Sequence, residues 1–285
     1  MNVQLRPAAP EDAVACGRIC YEAFKRIAEQ HNFPPDLPAV EDAVGFLTGV
    51  LSHPEFYGVV AEVDGRIVGS NFLDERASVV GLGPITIDPE AQNSGVGRAL
   101  MEHALERARS QGRPSVRLVQ AAYHNRSLCL YSKLGFQVRE PLVCMQGTAV
   151  NKRISGYTVR PATEEDLEDC ANVCRRVHGY RRDRELSDAI QNGNATVVEH
   201  NGRISGYATL VGFTGHAVGN TNTDVKALIA AAPEYFGPGF LLPSRNGELF
   251  RWCLEQGLRV VQPMIYMSTG LYNEPDGAYL PSILL

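Results

Sequence analysis

The chain has 285 residues, 44% of them hydrophobic, and a formal net charge of −5 at pH 7, which is typical of a globular protein with two domains. No basic cluster predicts nucleic-acid binding, no apolar run reaches the ~18 residues of a membrane helix, and no leader is recognisable at Met1. The seven cysteines form no metal-binding or disulfide pattern, so we expect no metal and a reducing cytoplasm.

The first half predicts an alternation of strands and helices. A strand at 3–8 precedes helices at 10–30 and 40–51, and Asp64-Gly65 marks a hairpin within 57–75. Next we expect a strand at 79–88, a helix at 95–112, a strand at 115–121, a helix at 125–135, and strands at 136–140 and 142–147. This order predicts an α/β (mixed α+β) fold, with a mostly antiparallel mixed sheet flanked by helices.

The second half repeats the first. Seven residues recur 154 positions later: Arg6, Pro7, Ala8, Glu11, Asp12, Cys16 and Cys20 return as Arg160, Pro161, Ala162, Glu165, Asp166, Cys170 and Cys174. The hairpin sequence at 65–69 returns at 202–206. Such similarity predicts two tandem domains of one architecture, at 1–150 and 151–285. Each cysteine pair is spaced i, i+4 on a predicted helix, which favours burial in a core.

Gly95 and Gly97 stand where a helix follows the strand at 79–88. The first amides of a helix have no intrahelical acceptor, and the helix dipole favours an anion there. Glycines let a phosphate approach the backbone closely. The spacing fits neither a dinucleotide fingerprint nor a P-loop. On these residues alone, a tight turn without a ligand is the alternative.

The surrounding motifs resemble the Gcn5-related N-acetyltransferase (GNAT) family. Ile87-Asp88-Pro89 is followed by Gln92-Asn93-Ser94-Gly95-Val96-Gly97, in the manner of the family's motif A. Asn125 and then Tyr131-Ser132-Lys133-Leu134-Gly135-Phe136 are similar to its motif B. The resemblance covers residues 3 to 147. It implies splayed parallel central strands in the first domain, with acetyl-CoA bound along them as cosubstrate.

The resemblance also implies roles for individual residues. The amides of Gln92, Asn93, Ser94, Gly95, Val96, Gly97 and Arg98 would hold the pyrophosphate of acetyl-CoA. The backbone near Thr86 and Ile87 would pair with the pantetheine, and Asn125 would hydrogen-bond it, although Asn125 is equally suited to cap its helix. Tyr131 would act as general acid toward the departing thiolate, with a core tyrosine as the alternative.

The general base has no fixed position in this resemblance. Glu75 is a weak candidate, as are Asp74 and His124, and a solvated surface position is the alternative for each. Gln120 and Tyr123 are candidates to line the acceptor pocket. The expected reaction is transfer of the acetyl group to a primary amine of a small molecule or amino-acid-like acceptor. The alternatives are an acyl-CoA-binding sensor and a protein amino-group acetyltransferase.

The second copy departs from the motif. Aligning Ala227-Leu228 with Ala99-Leu100 puts Thr223 and Val225 at the glycine positions, with Asp224 between them. Branched side chains and a carboxylate would repel a pyrophosphate. We therefore expect a degenerate domain without its own CoA, which covers the acceptor cleft or supports assembly. The apolar tail, Leu280 to Leu285, predicts packing in the second core or at a domain or homodimer interface.

Overall fold

The computed structural model describes residues 3–284; Met1, Asn2 and Leu285 lie outside this part. The elements of the first half are β1 Gln4–Pro7, α1 Ala13–Gln30, α2 Val40–Ser52, β2 Phe56–Val63, β3 Arg66–Asp74, β4 Val79–Leu82, β5 Thr86–Ile87, α3 Val96–Ser110, β6 Ser115–Ala121, α4 Asn125–Lys133 and β7 Gln137–Gln146. A single 3-10 turn, Pro10–Asp12, leads into α1. The four predicted helices and the Asp64-Gly65 hairpin are therefore confirmed.

The second half repeats this order. Its elements are β8 Tyr157–Pro161, α5 Leu167–His178, α6 Asp183–Gln191, β9 Thr196–His200, β10 Arg203–Ala208, β11 Ala217–Gly219, α7 Asn222–Ala231, β12 Phe240–Pro243, α8 Gly247–Glu255, β13 Arg259–Gly270 and β14 Ala278–Leu280. None of the helices in residues 3–284 combines the length and the apolar character that crossing a bilayer requires.

The arginine and aspartate that recur in the two halves make equivalent contacts in both. Arg6 contacts Asp12 at 2.7 Å and Glu62 at 2.7 Å, and so ties β1 and β2 to the first helical turn. The second half repeats this clamp with Arg160, Asp166 and Glu199. The four cysteines spaced i, i+4 on α1 and α5 are all buried, as predicted. The repeat thus records shared packing at the start of each half.

The two halves exchange a strand. The larger sheet has the order β1-β2-β3-β4-β6-β13-β7-β12, and β5 pairs with β3. Within it, β13 of the second half lies between β6 and β7 of the first half, while β7 pairs on its other side with β12. The sheet of the first half is completed by a strand from the second, so the division at residue 150 stays a prediction from sequence. A smaller sheet contains β14-β11-β10-β9-β8.

Two strand predictions were wrong in detail. The strand expected at 79–88 is divided into β4 and β5, because Pro84 has no N–H for a ladder and Gly83 adopts a φ of +137°. The strands expected at 136–140 and 142–147 are one strand, β7, which runs through Pro141. The carbonyl of Pro141 accepts a hydrogen bond from the Ser244 amide, just beyond the end of β12. The N–H that Pro141 lacks would point toward the same neighbour, where the pairing of β7 with β12 has ended.

Helices cover both faces of the larger sheet in the first half. Cys16 and Cys20 of α1 and Leu47 of α2 share one core cluster with Phe72 of β3. On the other face, α3 and α4 share a cluster with β4 and β6 that includes Tyr131. In the second half, Leu280 is buried in the core with α7 and α8, as its apolar character predicted; Leu285 lies outside the described residues.

Candidate active site

The loop before α3 opens the helix with exposed backbone. Gly95 is the N-cap residue, and its φ of +91° is in the left-handed region that glycine tolerates. No side chain caps this helix end. A Cβ built on Gly95 would meet no atom within 4 Å, whereas one on Gly97 would approach Ile87 Cδ1 to 3.2 Å. Both glycines line a large cavity, so the bare helix terminus faces open space.

The side chains of this loop are used to hold the loop itself. The Ser94 hydroxyl donates to the carbonyl of Ala91, and Gln92 donates to the carbonyl of Ile87 at 3.3 Å. Val96 is buried in the core. Arg126 donates to the Gln92 side chain at 2.7 Å, while Arg98 is half-exposed at the cavity. The loop therefore offers backbone N–H groups and two nearby cations to an anion.

The central parallel strands separate beside this loop. The pairing of β4 with β6 ends at Gly81 and Arg117, and β5 pairs with β3 alone. One edge of β5 is thus turned away from a ladder. Thr86 and Ile87 both line the cavity, and the Thr86 hydroxyl is buried without a partner. An extended chain with amide groups would fit this edge as an added strand.

Tyr131 lies in α4 at the wall of the same cavity. Only 6% of the residue is exposed, and burial raises the pKa of its phenol to about 12. The phenol is therefore protonated near neutral pH and can donate a proton. It packs against Phe136 with the α3 residues behind it.

The N-cap of α4 is His124, which corrects the idea that Asn125 caps this helix. His124 Nδ1 accepts the amide of Ser127 at 3.1 Å. Burial lowers the pKa of His124 to about 4, so the ring is neutral and carries its proton on Nε2. Asn125 is exposed and does not line the cavity, although its neighbours Arg126 and Ser127 do.

Glu75 and Asp74, the two carboxylates considered as general bases, each form an ion pair with an arginine. Glu75 forms a two-point ion pair with Arg107, at 2.7 and 2.8 Å, and is not part of the cavity wall. Asp74 is buried and bound by Arg76. Both carboxylates already bind a guanidinium, and neither is part of the cavity wall. The geometry therefore disfavours Glu75 as the general base.

The cavity has a volume of about 1210 Å³ and is lined by both halves. The first half contributes α1, α2, the loop around 82–98 and parts of β6 and α4. The second half contributes part of α6, residues 209–215 and 236–238, and Met264, Ile283 and Leu284. One continuous space therefore joins the α3 terminus, the strand separation and Tyr131 to a wall from the second half.

Polar groups stand at the end of β6. Gln120 is 7% exposed, and both of its side-chain amide atoms lack a partner. Tyr123 stacks on Phe33 with ring centroids 4.4 Å apart and donates to Gln262 at 2.9 Å. Gln262 in turn donates to Asp36, which also lines the cavity. The sequence analysis did not identify Asp36 or Gln262 as site residues. The prolines on either side of Asp36 were the available signal for that residue.

The equivalent helix of the second half is closed at its N-terminus. Asp224 accepts hydrogen bonds from the Thr221 amide at 2.8 Å and the Thr221 hydroxyl at 2.7 Å. The Ser205 hydroxyl also donates to it, and Asp224 is 2% exposed. Thr223 lies inside the first turn of α7, which starts at Asn222. The chain's own carboxylate thus satisfies this helix end.

When α8 is aligned with α4 by the hydrogen bonds that end each helix, Cys253 occupies the position of Tyr131. The Phe136 amide bonds to the Tyr131 carbonyl, and the Leu258 amide bonds to the Cys253 carbonyl in the same way. Asn246 caps α8 as His124 caps α4, by accepting an amide three residues on. Cys253 is fully buried, and burial raises its thiol pKa to about 12. The second half therefore has no phenol at this place.

Comparisons with known proteins relate part of the first half to an acetyltransferase family. Residues 54–138 match the acetyltransferase (GNAT) domain family. The chain is 32% identical over 88 residues to the uncharacterised N-acetyltransferase MJ1207 of Methanocaldococcus jannaschii; the match spans 28% of this chain and 39% of that relative.

Solved structures extend the likeness in fold to both halves. A Pyrococcus horikoshii protein assigned to the acetyltransferases superposes with a TM-score of 0.71 at 18% identity, covering 99% of this chain and 92% of its own. A tandem GNAT protein from the clavulanic acid biosynthesis pathway superposes with a TM-score of 0.55 at 14% identity, covering 94% and 98%.

Proposed function

Because the chain carries a GNAT acetyltransferase domain in its first half, we propose that it transfers the acetyl group of acetyl-CoA directly to a primary amine. The observation that carries this proposal is the uncapped N-terminus of α3, which opens into the same cavity as Tyr131 and the separated strands. A binding site for an anion and a proton donor thus share one space.

The backbone of Gln92 to Arg98 is the proposed grip on the pyrophosphate. Gly95 and Gly97 leave room for the phosphates, and Val96 takes part through its amide because its side chain is buried. Arg98 and Arg126 add positive charge at the cavity. The free edge of β5 at Thr86 and Ile87 is the proposed partner of the pantetheine amides. We assign no ligand contact to the Asn125 side chain, since it is exposed.

Tyr131 is the proposed general acid. The acceptor nitrogen forms a bond to the acetyl carbon, the carbon–sulfur bond breaks, and Tyr131 donates its proton to the departing sulfur. The amine loses a proton to its surroundings in the same reaction. Because burial raises the pKa of Tyr131 to about 12, the phenol holds its proton at neutral pH and has it available as negative charge develops on the sulfur. Holding the amine near the thioester supplies much of the acceleration.

The second half is proposed to form the acceptor side rather than a second catalytic centre. Residues 209–215 and 236–238, together with Ile283, lie in the cavity wall, while the terminus of α7 is closed by Asp224. A cavity shared between the halves favours a small acceptor over a protein surface. This is the basis for preferring a small-molecule amine as substrate.

The test is an assay of free thiol release. Purified protein is mixed with acetyl-CoA and pools of small primary amines, and the acetylated amine is identified by mass spectrometry. We expect thiol release that requires both the amine and the protein. Binding of acetyl-CoA without any amine-dependent release would support the sensor alternative, and the lack of any binding would reject the proposed site.

A further inference from the structure

Asp36 is a carboxylate in the cavity wall without a cation beside it. It lies between α1 and α2, and Gln262 of β13 donates a hydrogen bond to it. None of the ion pairs formed among residues 3–284 includes Asp36. In contrast, Asp188 of the same cavity contacts His53 at 3.2 Å and Arg76 at 3.0 Å. Asp36 therefore lines the cavity without an ion-pair partner in the described part of the chain and, unlike the exposed Glu41, is partly buried.

An unpaired carboxylate in such a place opposes folding. Burial raises the pKa of Asp36, because the charged form loses hydration and the Gln262 amide compensates only part of this loss. A positively charged ligand would restore a partner for the charge.

Apolar side chains from both halves line the same cavity as Asp36. Phe213, Met264 and Ile283 belong to one cluster with Val119 and Ala121 of β6. Phe213, Met264 and Ile283 also line the cavity. This wall suits an apolar body, while the unpartnered amide of Gln120 offers one polar contact. The Asp36 carboxylate, which has no ion-pair partner among the described residues, and the Gln120 amide, which has no hydrogen-bond partner there, line one cavity and point to one ligand.

We propose that the acceptor is a positively charged amine with an apolar body, and that Asp36 binds its ammonium group while Gln262 of the exchanged strand orients the carboxylate. The wall of Phe213, Met264 and Ile283 holds the apolar body. This inference rests on the proposed acetyltransferase function and names the acceptor class of that same cavity. The proposal also assigns a role to the strand exchange, because β13 places Gln262 beside Asp36 of the first half.

The test compares Asp36→Asn with Glu41→Gln. Glu41 is an exposed carboxylate of the same cavity, so its substitution removes an equal charge without touching the proposed contact. Thermal shifts are measured with CoA present, using alkyl and arylalkyl primary amines such as 2-phenylethylamine and their matched alcohols. We expect amines to stabilise the native protein and the Glu41→Gln variant, alcohols to have little effect, and Asp36→Asn to lose the amine effect.

The stability of the unliganded variant separates binding from a structural role. Asp36→Asn keeps the shape of the side chain and removes an uncompensated charge, so its melting temperature without ligand should equal or exceed that of the native protein. In the acetyl-transfer assay, its KM for the amine should rise at least 10-fold with the KM for acetyl-CoA unchanged. A less stable variant with unaltered amine KM would overturn the proposal.

Failure of this inference differs from failure of the proposed function. If acetyl transfer occurs but Asp36→Asn leaves the amine KM unaltered, or if neutral or anionic acceptors are preferred, the assignment of Asp36 is wrong and the enzyme activity stands. If acetyl-CoA does not bind at all, the proposed function is wrong. If CoA binds but none of the amines shifts the melting temperature, the acceptor class is rejected.

Discussion

The two halves differ most at the helix that follows their central strands. The N-terminus of α3 begins with a left-handed glycine, has no side-chain cap and opens into the cavity. The N-terminus of α7 begins with Thr221 and is closed by the buried carboxylate of Asp224. Both termini have the same need, because the first amides of any helix lack acceptors and carry positive potential.

The difference shows how one architecture can either keep or lose an anion site. In α7 the Asp224 carboxylate accepts the Thr221 amide and the Thr221 hydroxyl accepts the Asp224 amide, so the chain itself supplies acceptors at this helix end. In α3 the corresponding stabilisation is left to water or to a ligand. The predictions below change one terminus or its surroundings and leave the other as the reference.

The largest effect should follow Gly97→Val, which places the residue of the second half in the first. A Cβ here already lies 3.2 Å from Ile87, and a branched side chain would fill the space beside the amides. We expect kcat/KM for acetyl-CoA to fall by about 10³-fold or more, an effect of about 4 kcal/mol. Steady-state kinetics and calorimetric titration with CoA measure it; tight CoA binding by this variant would contradict the account.

Tyr131→Phe should reduce catalysis without reducing binding. Loss of the proton donor predicts a fall in kcat of about 10²-fold, with little change in CoA affinity. Since burial raises the pKa of Tyr131 to about 12, the phenol keeps its proton as the pH rises toward neutral and beyond. Native kcat should therefore show no alkaline loss due to this group up to about pH 10. An unchanged kcat in the variant would remove Tyr131 from the mechanism.

Gly95→Ala and Gly112→Ala form a matched pair at the two ends of α3. Both glycines have positive φ, +91° and +68°, and neither would bring a Cβ within 4 Å of another atom. Each substitution should cost about 1 kcal/mol of stability from backbone strain. Only Gly95→Ala should weaken CoA binding, by about 10-fold. Equal CoA affinities in the two variants, measured beside equal melting temperatures, would argue against a phosphate at Gly95.

The smallest effect on CoA binding is expected from Asp224→Ala in the second half. Removing a buried acceptor of three hydrogen bonds should lower the free energy of unfolding by about 2 kcal/mol. Affinity and stoichiometry for CoA should not change, because α7 is not part of the proposed site. Denaturant unfolding and titration are the measurements, and a second CoA bound by this variant would show that Asp224 alone closes the terminus.

Local features were predictable from sequence. The left-handed Asp64-Gly65 turn, with φ of +50° and +75°, depends on two adjacent residues. The glycine at the start of α3 was recognisable for the same reason. Helix periodicity and the repeated Arg6 and Arg160 clamps also follow from short patterns.

The remaining features depend on distant pairing. Strand β13 joins β6 although about half the chain separates them, and neither strand's pattern distinguishes this partner from one in its own half. Asp36 has its meaning only beside Gln262, 226 positions later. The ion pair of Glu75 with Arg107, which disfavours Glu75 as a base, is likewise a contact that the sequence did not reveal. Such contacts come from topology, which local patterns do not encode.

The most direct test of the account is a crystal structure with acetyl-CoA bound. We predict one molecule per chain, with its diphosphate on the amides of residues 92–98 and its thioester beside Tyr131, and nothing bound at the start of α7. A diphosphate found at α7, or a first half that stays empty at saturating coenzyme, would contradict the central claim.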